Sequence, residues 1–412
     1  MTMRGLLSLG AYQGGAYSIT DANIQATLAA THTTAVKIWA SWLQHQPTQP
    51  PAGTTPLDQF AAMAATPAAA TLDGEIMKAK ELGLMVVLTS HMFPDWSNAT
   101  RDPTDTGAYQ KTNFKPADRF NGSSAWTDYV ITGPPAVGDP KPLYSRFPAS
   151  TGYGTGSPYG VWMGYLNWRY GALQTEPKLH VDFLEPLNEP NWSLWPQQAD
   201  SASTSVWDNG ANTSACATAQ MLQTAQSMQH FFQGPVMLGP ATLDTEIGTT
   251  RHHTNQTEFE NLVLTALQSN GFVPDARVGW SVHNYSDWKN GTNAHLSACR
   301  TRVHGFASPA YWKGYPSGAA ANAQIFITEG GRPRKQALAY DADEDTQQSL
   351  YMYYAAYFAS SVPDIATFCQ YLDLTDPNYD SGLRTVGGVR RNAWYMWRDL
   401  HGGTPGVPTL LT

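Results

Sequence analysis

The sequence predicts a single (β/α)8 (TIM) barrel with a long insertion after its third strand. Three observations predict it. Eight short runs of β-branched and apolar residues recur along the chain. Between them lie segments whose apolar residues are spaced three to four apart, the pattern of a parallel α/β fold. No tract of linker composition and no repeat of fixed period divides the chain, so residues 1–412 read as one catalytic-size domain.

Taken in order, the strand candidates are Leu6 to Gly10, Ala35 to Ala40, Leu84 to Ser90, Val181 to Leu187, Pro235 to Gly239, Val278 to His283, Gln324 to Thr328 and Ala366 to Tyr371. The helix from Asp73 to Leu82 carries Ile76, Met77 and Ala79 on its apolar side, and Gly83 is a good C-cap. Cys216 to Phe232, Glu258 to Ser269 and Thr346 to Ala359 repeat the helical spacing, and a last helix near Arg391 to Leu400 closes the chain. The Pro-, Thr- and Ala-rich stretch from Gln44 to Ala70 reads as a loop. Such barrels take about 250 residues, so a chain of 412 must carry its surplus in loops. The largest runs from His91 to about Pro158, too long for an idle connection. Its Trp96, Trp126, Tyr144 and Arg146 are expected to wall the barrel mouth and meet substrate, because loops after barrel strands lie on the catalytic face.

Composition excludes some partners. The net charge is −8 and only 14% of residues are charged, with no basic stripe to neutralise phosphates, so nucleic acid is not expected. Low charge with 14 Trp and 20 Tyr suits a neutral substrate with flat apolar faces, such as a sugar. Most of those rings individually belong in the core. No apolar run approaches the ~20 residues of a membrane span. The start MTMRGLLSLGAYQGG is too short in apolar residues for a signal peptide, which leaves two readings, a secreted chain without its leader and a cytoplasmic one, from a bacterial source. Cys216, Cys299 and Cys369 have neither metal-ligand spacing nor the number for a disulfide framework. His252-His253 lacks a third ligand, so neither metal nor cofactor is expected. Seven Asn-x-Ser/Thr sequons occur, at Asn98, Asn121, Asn191, Asn212, Asn255, Asn284 and Asn290, and read as chance.

Two motifs carry chemistry. LEPLNEPN, Leu184 to Asn191, sets Asn188 and Glu189 directly after an apolar strand, and Pro190 stops it. IFITEGG, Ile325 to Gly331, ends an apolar strand in Glu329, and two glycines let the backbone turn. A carboxylate straight after a hydrophobic strand is costly to bury unless partnered or functional. Two of them, 140 residues apart at the ends of strands four and seven, say more than either alone. Glu185 shares the inward face of strand four, either tuning the acid or pairing with Lys37 deeper in the barrel.

These residues resemble those of the clan of retaining glycoside hydrolases with catalytic glutamates on strands four and seven, including families 5 and 39. Lys37 in VKIW, His91 in LTSHM, Asn188-Glu189, His283-Asn284-Tyr285 and Glu329 match the family-5 pattern strand by strand. NEPNWSLW, the run Leu238 to Thr242 and the closing RRNAWYMWRDL are more similar to family 39, so the likeness spans essentially the whole chain. Lys37 stands where family 5 has an arginine, and Phe368-Cys369-Gln370-Tyr371 stands where a tryptophan closes strand eight. The resemblance implies a retaining glycosidase acting on a poly- or oligosaccharide, with Glu189 as general acid/base and Glu329 as nucleophile about 5 Å apart. It implies substrate contacts from Asn188, His91, His283, Tyr285 and Lys37, with Tyr285 and Lys37 also near Glu329, although His283 also reads as a satisfied rim histidine. Trp192, Trp195 and Trp288 follow or flank the rim motifs and read either as sugar-stacking rings or as core. A transglycosylase would use the same residues, and a sugar-binding barrel that has lost catalysis is the reading from another class.

Overall fold

The computed structural model describes residues 3–10, 17–94, 157–191, 210–244, 255–306, 312, 324–332, 342–375 and 380–412, with backbone alone at 210–214, 216, 217 and 342. Eight parallel strands close into a barrel in chain order. They are β1 Arg4–Ser8, β2 Ala35–Ser41, β3 Met85–His91, β4 Phe183–Glu185, β5 Val236–Leu243, β6 Val278–His283, β7 Ile325–Glu329 and β8 Ile365–Tyr371. Among the described residues the helices are α1 Ala22–Ala30, α2 Trp42–His45, α3 Pro56–Ala64, α4 Pro67–Glu81, α5 Pro158–Tyr170, α6 Gly210–Phe232, α7 Gln256–Ser269, α8 Tyr285–Asn290, α9 Ala294–Gly305, α10 Ala342–Ser360 and α11 Asn392–Arg398. None is long and apolar enough to cross a membrane.

Every residue of β2, β3, β6 and β7 is buried, as expected of strands enclosed by helices outside and a filled lumen inside. The closing pair sets Gly5 beside Phe368 and Ser8 beside Tyr371. Gly5 cannot carry a side chain, because a Cβ there would collide with the imidazole of His401, just after α11. The same registers align the polar residues of the lumen. Ser41 pairs with His91, Thr89 with Glu185, and His283 with Glu329.

Strand six begins and ends where the sequence places it, and others shift for local reasons. β4 is shorter than Val181 to Leu187, because Pro186 has no N–H for the ladder and the Asp182 carboxylate itself accepts from the Val86 N–H at 2.7 Å. β5 runs past the expected stop at Gly239 to Leu243, with a bulge between Pro240 and Thr242 that absorbs the proline. The N–H of Ala241 inside that bulge donates to Ser281 Oγ at 3.0 Å. The Gln44 to Ala70 stretch is not simply a loop. Thr55 and Thr66 cap α3 and α4 by accepting from Asp58 N and Ala69 N, and Pro56 and Pro67 take the first helical position, where no N–H is needed. Behind β2 and β3, Trp42 stacks on Trp162 at 5.8 Å and Trp162 on Tyr165 at 5.6 Å, so these rings are core. Trp394 is likewise packed, on α11. The proposed wall residues Trp96, Trp126, Tyr144 and Arg146 lie outside the described residues, as do Trp192, Trp195 and His252-His253.

Candidate active site

Glu329 is the last residue of β7, and Glu189 follows β4 by four residues, so both stand at the C-terminal end of the barrel. An oxygen of each carboxylate and a nitrogen of His283 lie within 4.8 Å of one another, and all three side chains are buried. Glu189 has φ of 45°, in the left-handed region that costs a non-glycine residue on the order of 1–3 kcal/mol. Its N–H donates to Ala241 O at 3.1 Å, and Ala241 is itself at φ 55°. The bulge of β5 and the turn after β4 thus hold each other.

The two acids have different neighbours. Glu329 Oε1 accepts from the Lys37 ammonium at 2.8 Å, and its Oε2 accepts from the Tyr285 hydroxyl at 2.6 Å. Glu189 Oε1 lies 2.8 Å from His283 Nδ1, and Glu329 Oε2 lies 3.5 Å from the same nitrogen. Burial holds His283 down to about 4, so the ring is neutral at pH 7. Glu189 therefore faces a neutral ring where Glu329 faces a charged ammonium.

Lys37 is fully buried and also meets Glu185 Oε2 at 2.9 Å. Burial alone would depress the amine, but attraction from Glu185 and Glu329 more than offsets it, so the ammonium is held above the ordinary lysine range. Glu185 accepts from Thr89 Oγ1 at 2.9 Å and from Thr328 Oγ1 at 2.7 Å. It pairs with Lys37 below the acids, the structural alternative for this residue. Burial opposes its ionisation, yet Lys37 leads a set of interactions that keep its carboxyl below the usual range.

Tyr285 joins the same cluster through Glu329. Asn188 is buried beside Glu189, and its Oδ1 has no hydrogen-bond partner among the described residues. His91 ends β3 with Nδ1 3.1 Å from Ala40 O and its ring edge-on to Trp39 at 5.1 Å. Three of the expected substrate contacts are fully buried. Lys37 and His283 are both 0% exposed and contact the acids directly. Trp288 is also 0% exposed, stacked on Phe368 at 4.6 Å, so it offers no ring face to a sugar. It fills the space over the turn after β7, where a Cβ on Gly330 would stand 2.6 Å from its Nε1. The remaining aromatic expectation, Trp192, lies outside the described residues.

Several supporting residues carry no mark in the sequence. Asp244, just past β5, accepts from the N–H groups of Tyr285 and Ser286 at 2.8 Å each and so fixes the start of α8. Burial first and the nearby Asp287 second push its carboxyl well above the usual range. With its amide turned so that the nitrogen faces the acids, Asn284 donates to Asp244 at 2.9 Å and to Asp287 at 3.0 Å. Asn191 exchanges two 2.9 Å hydrogen bonds with the backbone of Leu243, clamping the turn after Glu189 to β5. Asn191 and Asn284 are thus engaged and buried, which removes both as glycosylation acceptors in the folded chain. The Glu189, His283 and Glu329 donors have a spacing that would admit a cation. Lys37 already supplies the positive charge there, and the hydrogen bonds above already occupy the facing atoms.

A closed eight-stranded parallel barrel with two facing glutamates at its C-terminal end is the class of protein that fold and site define, and its neighbours among solved structures are barrel glycoside hydrolases. One is a monomeric β-xylosidase from Caulobacter crescentus CB15, at TM-score 0.53 and 12% identity over 97% of this chain and 67% of that one. Another is xylanase 10C from Cellvibrio japonicus, solved with xylopentaose, at TM-score 0.53 and 11% identity over 98% and 68%. A third, ZgEngAGH5_4 with a cellotriose, matches at TM-score 0.51 and 12% identity over 96% of this chain and 95% of that one. At such identity the likeness is one of fold. No family model matches the chain, and no curated protein does.

Proposed function

We propose that this protein is a retaining glycoside hydrolase that cleaves a glycosidic bond in a poly- or oligosaccharide through a covalent glycosyl-enzyme intermediate. The observation that carries the reading is the asymmetry of two carboxylates within 4.8 Å: Lys37 and Tyr285 hold Glu329, and neutral His283 holds Glu189. That separation suits retention, which needs about 5 Å, and not inversion, which needs room for a water between the acids. In the first step Glu329 attacks the anomeric carbon while Glu189 protonates the departing oxygen. In the second, Glu189 as carboxylate takes a proton from water, and the water displaces Glu329 with net retention. The Oδ1 of Asn188, which has no partner among the described residues, suits a sugar hydroxyl, whose hydrogen bond would satisfy a buried acceptor. Neighbours solved with xylopentaose and cellotriose support a carbohydrate as the ligand.

The test is a panel of aryl glycosides with the product anomer followed by proton NMR. The wild type is expected to release the retained anomer first. Glu329→Ala is expected to abolish turnover of every substrate. Glu189→Ala is expected to keep the first step on a dinitrophenyl glycoside and to recover turnover in azide as the glycosyl azide of retained configuration. Activity remaining in Glu329→Ala overturns the nucleophile assignment, and oligosaccharide binding without any turnover by the wild type gives the chain to the sugar-binding class.

A further inference from the structure

The buried ring of His283 touches charged groups on both sides, and they do not treat its two nitrogens alike. Nε2 faces the Lys37 ammonium at 3.4 Å, with Glu185 Oε2 beyond it at 4.0 Å. Nδ1 faces Glu189 Oε1 at 2.8 Å, with Glu329 Oε2 at 3.5 Å. Tyr285 packs edge-on against the ring at 6.4 Å and donates to Glu329. A neutral imidazole has one N–H and one lone pair, and an ammonium can only donate.

We infer that Lys37 acts through His283 as a positioning residue: its ammonium takes the Nε2 lone pair and so fixes the Nδ1–H tautomer, which donates to Glu189 Oε1 and leaves Oε2 as the oxygen that carries the transferable proton. The opposite tautomer is disfavoured on both sides of the ring. Its Nε2–H would point at an ammonium at 3.4 Å, and the nearest acceptor on that side is out of hydrogen-bond reach at 4.0 Å. Its Nδ1 lone pair would oppose the Glu329 carboxylate at 3.5 Å. That lone pair would also draw the Glu189 proton onto Oε1, toward the ring and away from any leaving group. The imidazolium is absent at neutral pH, since burial holds the ring to about 4. The lysine is suited to this role as a compact ammonium, which reaches Glu185, Glu329 and His283 from a single atom.

The placement of the proton rests on the geometry around the ring together with its burial. Its use as the acid of the first step rests on the glycosidase reading above. Neutron diffraction from the perdeuterated, unliganded protein at pH 7 reads the placement directly. Deuterium is expected on His283 Nδ1 and not on Nε2, three deuterons on Lys37 Nζ, and one on Glu189 Oε2. Deuterium on Nε2, on both ring nitrogens, or on Glu189 Oε1 overturns the inference whether or not the protein cleaves glycosides. The functional arm compares His283→Gln, which keeps a donor for Glu189, with His283→Phe, which does not. His283→Phe is expected to lose on the order of 10²-fold more kcat/KM on a phenyl glycoside, which needs an acid, than on a dinitrophenyl glycoside. His283→Gln is expected to recover much of that difference. Equal losses on both substrates would mean that the ring only supports structure, and overturn the role. A wild type inert toward every glycoside sinks the glycosidase reading while leaving the neutron result to decide the tautomer.

Discussion

Replacing Lys37 with methionine removes one ammonium and little volume. The side chain is 0% exposed, and its nitrogen lies 2.9 Å from Glu185 and 2.8 Å from Glu329, both of them buried. Methionine is flexible enough to occupy the same channel, so the loss is electrostatic and not a cavity. Deleting one partner of a buried ion pair costs about 3–5 kcal/mol, because the other is left as an uncompensated buried charge. Here two carboxylates are left, and one will bind a proton in the folded state. Its folded pKa then stands above its unfolded value, so its contribution is present at low pH and lost as pH rises through the folded value. Each pH unit across that window changes stability by about 1.4 kcal/mol. Urea unfolding followed by tryptophan fluorescence should therefore show Lys37→Met destabilised by about 3–5 kcal/mol at pH 7 and by about 2 kcal/mol less at pH 5. Glu185→Gln in the same background removes one of the stranded charges and should recover part of the loss. A penalty under about 1 kcal/mol at pH 7, or one that grows on acidification, would falsify the account of Lys37 as the buried counter-ion.

Two further outcomes follow from the site. His283 is depressed from 6.5 to about 4, so the unfolded chain binds its proton first. The stability this provides is complete above pH 6.5 and lost as pH falls through about 4, a total of about 3 kcal/mol; denaturant midpoints of His283→Gln should show a slope shallower by one proton in that window, and parallel curves would contradict it. Trp288→Phe should lower stability on the order of 0.5–3 kcal/mol through lost packing on Phe368, with KM for aryl glycosides unchanged, whereas a rise in KM with stability intact would restore Trp288 as a sugar platform.

The strands were legible because their signal is local. Val278 to His283 is a buried run bounded by turns, and it can be read without knowing its partners. Strand ends were less so. Gly239-Pro240 looks like a stop, and only the bulge beside β6 shows how the ladder continues through it. The residues of α3 were hidden by composition: Thr55-Pro56 and Thr66-Pro67 look like loop chemistry when counted, and like helix starts when read as an N-cap followed by a proline at the first turn. Glu189 and Glu329 were legible for the same local reason, as acids directly after apolar strands. The burial of Lys37, His283 and Trp288 was not. Which way a strand residue points depends on the register of the closed barrel, and Lys37 meets a Glu329 that is 292 positions away. Asp244, Asn191 and Ser281 bind backbone groups of other segments, a use that no spacing within their own segments records.

The charges around the site explain why these residues occur as a set. Among the described residues Lys37 is the one cation in contact with Glu185 and Glu329, so with both carboxylates ionised those three groups together carry one negative charge. An ionised Glu189 would add a second in a buried space, and of the three carboxylates it is the one that faces neutral His283 in place of the ammonium. In the proposed reaction Glu329 loses its charge when it becomes an ester of the sugar, and in the same step Glu189 gains one by giving up its proton. The buried cluster then still carries one negative charge, moved by less than 5 Å from one glutamate to the other. Returning the proton from water reverses the exchange. A protein interior penalises a change of net charge far more than a short displacement of it. One lysine shared by two acids, with a neutral histidine on the third, would let both half-reactions of the proposed mechanism run without such a change.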